Sequence, residues 1–267
     1  MKTNLILSIC ISLFLGFSGC FPLRTIEGDG NIITKEIEIG NYEMLSASGG
    51  KMVIHYIQSE DKSELKVIMD QNIFDLYEFR EENGKLIIKP KKKYEKMYRI
   101  KPTEFTIITH SAKIKNFDIA GSNTLNIDSP LTSEKLKFNI AGSGYINIPG
   151  RADIQTFETE IAGSGTLNAP EIICSVFDAE IAGSGTLNLG GEATKTKLSV
   201  AGSGKMKAFD FNTKEIYCSI AGSGYVETSV SNKIDVEIAG SGNIRYKGNP
   251  IEIKKSIAGS GSIKKVD

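Results

Sequence analysis

Four carboxylates, Glu158, Glu160, Asp178 and Glu180, recur as two pairs twenty residues apart. If the chain stacks the pairs, four like charges share one patch. Such a patch is either balanced by nearby cations or it holds a hard cation such as Ca²⁺ through oxygen ligands. Lys137 and Lys197 are spaced to balance it, so a compensated surface is the expected state and Ca²⁺ the weaker candidate. No cofactor is expected. A second set is Asn126, Asn147, Asn168 and Asn188, each two residues after Thr124, Tyr145, Thr166 or Thr186. Stacked amides hydrogen-bond along a sheet and stiffen it. The same row, with Tyr145 and Tyr225, could instead offer a flat polar surface to a glycan, although the absence of Trp weakens an aromatic platform. The third set is basic: Lys89, Lys91, Lys92, Lys93, Lys96, Arg99 and Lys101, with Tyr94 and Tyr98 between them. A solvated loop is the ordinary reading of such a run. The alternative is a patch for phosphate-bearing lipid, lipopolysaccharide or acidic polysaccharide.

Other chemistries find less support. His55 and His110 are the only histidines, and neither sits in a recognisable Ser/His/Asp context. The four cysteines show no metal-binding spacing. Basic and acidic residues number 32 each, so the net charge is zero and gives no global argument for nucleic acid.

The elements that position these residues come from a repeat. Ala-Gly-Ser-Gly, with one Asn variant, begins at Ala120, Ala141, Ala162, Ala182, Ala201, Ala221, Ala239 and Ala258. The steps are 21, 21, 20, 19, 20, 18 and 19 residues, too short for two-helix repeats. The flanks alternate: Leu136, Phe138, Ile140, then Gly142, Gly144, then Ile146, Ile148. Period two means strands with one buried face. A single coil cannot bury that face, whereas stacked coils can. The expected fold is all-β, a single-stranded right-handed parallel β-helix of about eight regular coils, with a strand-rich part before it. At strand spacing the column is roughly 38 Å long.

The tetrapeptide lacks the Lys and the helix of a phosphate-binding loop, so it reads as a corner. Asn123 replaces the second Gly in the first copy. Asn tolerates left-handed backbone best among non-glycine residues. Positive φ is therefore expected at the second Gly and close packing at the first. Coil lengths vary by three residues, which leaves no insertion long enough to wall a cleft.

The N-terminus carries Lys2, an apolar stretch from Leu5 to Phe17, then Phe17-Ser18-Gly19-Cys20. The stretch is shorter than the roughly 20 residues that span a bilayer. It resembles a bacterial lipoprotein leader, which implies cleavage before Cys20 and a lipid on its sulfur. The residues after Cys20, Phe21-Pro22-Leu23-Arg24, lack an acidic run, which favours the periplasmic side of the outer membrane over the cell surface. Cys174 and Cys218 lie two coils apart, roughly 9.6 Å along the axis. That exceeds the roughly 4.4–6.8 Å between the Cα atoms of a disulfide, so both are expected as free thiols.

Residues 35–110 form the strand-rich part between an anchoring linker, 20–34, and the solenoid, 111–267. Strands are expected over 51–58, 64–69, 85–89 and 104–109, with a hairpin at Asn83-Gly84 and a short helix over 72–80. Lys254, Lys255, Lys264, Lys265 and Asp267 place charge on the last coil, whose edge is otherwise free to pair.

Four features together resemble the bacterial family described as "putative auto-transporter adhesin, head GIN domain". They are Gly28-Asp29-Gly30-Asn31-Ile32, the Gly84-Lys85-Leu86-Ile87-Ile88 strand, the Ile-Ala-Gly-Ser-Gly copies, and the closing Gly259-Ser260-Gly261-Ser262-Ile263-Lys264-Lys265. The resemblance spans roughly residues 28–267. It implies a β-helical envelope protein and carries no catalytic residues. The expected function is a non-catalytic binding, adhesion or structural module, anchored by Cys20, with a glycan or envelope protein as partner and no nucleic acid. The other class is a carbohydrate-active β-helix enzyme, a polysaccharide lyase or hydrolase, which would need a groove with convergent carboxylates.

Overall fold

The computed structural model describes residues 24–267 apart from 62 and 96. The leader and Cys20 lie outside the described residues. Nearly all of the described chain is strand, wound as stacked parallel coils. The corner motifs stack in register: Ala120 pairs Ala141, Ala141 pairs Ala162, and so on to Ala239 with Ala258. Alternation is obeyed beside the corners and breaks where the register shifts, as at Thr228–Val230. Leu136, Phe138 and Ile140 are buried, while Lys137 and Asn139 between them face outwards.

From Thr166 to Gly240 the variable turn is absent as such, and it returns over 248–251 in the last coil. Each coil is one long bent strand, Thr166–Gly183, Thr186–Gly202, Lys205–Gly222 and Tyr225–Gly240. Differences in coil length are absorbed as register shifts, for example between Ala169 and Ile172 and between Met206 and Asn212.

The core is a single stack. Phe117, Phe138, Phe157, Phe177 and Phe211 follow one another with ring centroids 5.2, 5.5, 5.4 and 5.7 Å apart. Phe177 pairs in register with Thr196, so the ring there is missing. Phe211 fills the gap from another wall, and Thr196 bonds the Thr213 hydroxyl at 3.0 Å. Cys174 and Cys218 are buried free thiols, pushed up to about 12 by burial.

The corner glycines have the reverse of the expected roles. The first Gly of each copy has positive φ, from 98° at Gly121 to 129° at Gly240, and the second does not. A Cβ on Gly183 would lie 2.5 Å from the Gly163 carbonyl oxygen. The second Gly is required by packing. A Cβ on Gly185 would lie 2.6 Å from Ile161 Cγ2. Asn123 is tolerated for a different reason than its backbone. In the coil below, Ala47 stands where later coils carry Ile or Val, since it pairs with Ile119. The space left takes the Asn123 side chain, which accepts from Met52 N–H at 3.0 Å and donates to Ala120 O at 2.9 Å.

The chain before the first tetrapeptide builds further levels of the same sheet. Its elements are β1 (Arg24–Glu27), β2 (Ile32–Glu38), β3 (Met44–Ser48), β4 (Val53–Gln58), β5 (Glu64–Asp70), α1 (Gln71–Phe74), β6 (Tyr77–Glu82), β7 (Lys85–Pro90), α2 (Lys92–Glu95), β8 (Tyr98–Lys101) and β9 (Phe105–Ser111). β3 and β4 lie beneath the first tetrapeptide coil, and β7 and β9 pair beneath them, all parallel. β5 then pairs antiparallel with β9, β2 with β5, and β6 with β7, which closes this end. The hairpin stands as expected, with Asn83 and Gly84 both at positive φ. The helix expected over 72–80 does not form: α1 is one turn, and β6 begins at Tyr77. The spacing of Ile73, Leu76 and Tyr77 comes from a buried turn entering a strand, because pairing of β6 with β7 outweighs helical periodicity.

Asp70 ties this end together. Its carboxylate accepts from Gly30 N–H at 2.9 Å and Thr103 N–H at 2.7 Å, joining two turns that hide it from solvent. Burial pushes the carboxyl up, but these bonds and one from Glu104 hold it below the ordinary value of 3.8. Its contribution is therefore present above pH 3.8 and lost as pH falls through the lower folded value. Asp70→Asn should make the melting temperature less sensitive to acid below about pH 4. Equal acid slopes for both proteins would remove Asp70 from the account.

The far end is open. In the last coil Ile251, Ile253 and Ile257 are exposed. Lys255 occupies the inward position in register with Val236, a buried charge site if another strand were added. That discourages edge pairing.

Candidate binding surfaces

The asparagine row is real. Asn126, Asn147, Asn168 and Asn188 pair in successive coils, and Asn168 Nδ2 donates to Asn147 Oδ1 at 2.8 Å. The row continues to His55 below and Lys207 above. Thr124, Tyr145, Thr166 and Thr186 form the adjacent row, continuing to Lys205 and Tyr225. The face is flat and polar, with Tyr145 exposed on it.

The acidic patch also assembles as spaced. Glu158 pairs Asp178, and Glu160 pairs Glu180. Lysines take three of the four: Lys135 with Glu158 at 2.6 Å, Lys137 with Glu160 at 2.5 Å, and Lys197 with Asp178 at 3.2 Å. The Lys137 ammonium is held above its usual value, first by the Glu160 bond. Among the described residues no group of three or more Asp, Glu, His or Cys is arranged to hold a metal. Lower on this face Asp118 accepts from Lys85, Asn139 and Asn116, each at 2.7 Å. Burial pushes that carboxyl up, and the three bonds lower it further than burial raises it.

Two features escaped the sequence. His55 Nδ1 lies 2.6 Å from Asp128 Oδ2 at the surface, a pair formed only by stacking strands distant in the chain. The other is a groove of about 860 Å³ lined by Phe209, Asn212, Thr213, Lys214, Ser231 and Asn249, among others. Residues 207–211 bulge opposite 227–228, and the bulge leaves Phe209 partly exposed. Lys247 Nζ sits 5.0 Å from that ring. The signal was the 18-residue step from Ala221 to Ala239, the shortest in the series.

The basic run is largely folded. Lys92 and Lys93 open α2, and Arg99 lies in β8, which pairs in parallel with β1. Lys96 lies outside the described residues. Lys93 sits 4.7 Å over the Tyr94 ring, and Tyr94 meets Tyr98 edge-on at 5.6 Å. Behind them is a cavity of about 550 Å³, lined by Lys51, Tyr77, Tyr94, Tyr98, Arg99 and Lys101 with the Gly49-Gly50 corner.

The model of "Putative auto-transporter adhesin, head GIN domain" matches residues 41–250. The chain belongs to this family. A solved structure from Parabacteroides distasonis ATCC 8503, described as a "putative lipid binding protein", is 35% identical with a TM-score of 0.88. The match covers 91% of this chain and 100% of that one. A "putative adhesin" from the same organism and another from Parabacteroides merdae ATCC 43184 share the fold, with TM-scores of 0.83 and 0.82. They are 24% and 23% identical, each covered in full by 91% of this chain. No curated protein matches the head GIN chain. The family points to the cell envelope or surface. Among its described residues no helix is long and apolar enough to cross a membrane.

Proposed function

We propose that this head GIN protein is a non-catalytic module, held to the outer membrane by a lipid on Cys20, that binds a glycan or another envelope component along its column. The observation that carries the reading is the uninterrupted column, whose outer faces are polar rows with shallow recesses. The alternative, a polysaccharide lyase or hydrolase, needs convergent carboxylates in a groove. The Phe209 groove has Glu192 as its one carboxylate, lysines take three of the four carboxylates of the patch, and in the neighbouring recess of Asp178, Glu180, Asp235 and Glu237 they take Asp178 and Asp235. Phe209 and the amide and hydroxyl groups around it match what a sugar ring requires, an apolar face beside hydrogen-bonding groups. A glycan array and an envelope pull-down with the purified protein test this. Binding should fall about tenfold in Phe209→Ala or Asn212→Ala. Turnover of a bound polysaccharide, or a bound set unchanged in both variants, would overturn the reading.

A further inference from the structure

The end of the column nearest Cys20 carries charge that the protein itself does not neutralise. Among the described residues Arg24, Lys51, Lys91, Lys92 and Arg99 have no ion-pair partner. Met97 stands among them, 64% exposed. β1 pairs with β8, so Arg24 sits beside Tyr98 and Thr25 beside Arg99. The chain leaves the described structure at Arg24, four residues from Cys20. Four residues reach at most roughly 14 Å. A lipid on Cys20 therefore brings the β1–β8 ribbon to the bilayer surface, whatever the conformation of the intervening residues.

The cavity behind the ribbon has the complementary chemistry. The Tyr77 side chain is 2% exposed, and its hydroxyl has no hydrogen-bond partner. A buried donor left unpaired is costly, so an acceptor oxygen entering here is favoured. A Cβ on Gly50 would come within 2.8 Å of that hydroxyl, so the bare corner keeps the space open. Arg99 and Lys51 supply unpaired positive charge at the rim, Lys101 is held by Glu27 at 3.3 Å, and Glu95, the one carboxylate in the lining, lies 4.0 Å from Lys89, while Tyr94 and Tyr98 supply amphipathic rings suited to an interface.

The geometry points to the β1–β8 ribbon and the Tyr77 cavity as a docking site for the phosphate headgroup of an anionic membrane lipid, which seats the N-terminal end of the column flat on the bilayer. This rests on the lipid anchor proposed above. It adds a second, electrostatic attachment, and one acyl group with a basic patch holds a membrane far better than either alone.

The test uses the exported chain with Cys20→Ser, which cannot be acylated, sedimented with vesicles. It should bind vesicles containing phosphatidylglycerol, release them as salt rises, and leave pure phosphatidylcholine vesicles in suspension. Lys91→Glu/Lys92→Glu/Arg99→Glu should weaken binding by about a hundredfold. Lys255→Glu/Lys264→Glu/Lys265→Glu, at the far end, should leave it unchanged. Tyr77→Phe should keep the melting temperature and weaken binding by about fivefold. Equal binding to both vesicle types, or equal loss in the near and far triple variants, overturns the docking site. The anchor is read separately, from acyl label on the unaltered chain. Missing label with intact vesicle binding would sink the anchor alone.

Discussion

Gly183→Val should cost the column about 3 kcal/mol or more, Gly185→Val about 1–3 kcal/mol, and Thr186→Val within about 0.5 kcal/mol. The three positions are neighbours, yet they meet different obstacles. At Gly183 the backbone sits at φ 124°, where side chains are strained. The new Cβ would also strike the Gly163 carbonyl oxygen, and that carbonyl accepts the Ser184 N–H at 2.8 Å. Neither atom can move without breaking the ladder. At Gly185 the obstacle is the Ile161 methyl, a side chain that can be removed. Thr186 faces outwards beside Thr166, where Val is a good strand former. The first coil shows how the second obstacle is lifted, with Asn123 above Ala47. Gly185→Asn combined with Ile161→Ala recreates that pair. The double variant should be more stable than the sum of the single losses by about 1–3 kcal/mol. Gly183→Asn, by contrast, should be rescued by no side-chain change. Denaturant midpoints decide between these accounts. Additivity at 161 and 185 would show that Asn123 is accepted on some other ground.

The same pair of glycines shows where sequence reading stops. Eight spaced copies with alternating flanks were enough to place every corner and the inward and outward rows, because a parallel column has one register and the side-chain period is two. The Asn126–Asn188 row and the Glu158–Glu180 patch follow from that arithmetic alone. Which glycine carries positive φ does not, since both are glycine in seven of eight copies and the exception reports on its neighbour Ala47. The short helix read over 72–80 failed for a related reason. Ile73, Leu76 and Tyr77 are spaced for a helix face, and only the pairing of β6 with β7 shows that Tyr77 starts a strand. His55 beside Asp128, the Tyr77 cavity and the Phe209 groove depend on contacts between distant segments, which no local pattern records. The groove alone left a trace, in the shortened step at Ala239.

Phe157→Ala should cost about 3–5 kcal/mol, the other large effect expected of this fold. Phe157 is fully buried between Phe138 and Phe177, with ring centroids 5.5 and 5.4 Å away. Coils above and below are fixed by continuous parallel ladders, so the void cannot close by collapse. Thr196 shows what the column does when a ring is missing: Phe211 enters from another wall. No such substitute stands near Phe157, because its stacking partners already fill the axis on both sides. Ile253→Ala in the open last coil removes a side chain that is already 46% exposed and should cost under about 1 kcal/mol. The location of the damage is as informative as its size. Each coil hydrogen-bonds only to its neighbours, so amide exchange in Phe157→Ala should rise first in Leu131–Gly142 and Thr166–Gly183, the strands stacked directly against it. The strand Tyr225–Gly240, three coils further on, should keep its protection at denaturant concentrations where those strands have lost theirs. Simultaneous loss along the whole column would mean that the stack unfolds as one unit, and that the ring ladder couples coils well beyond nearest neighbours.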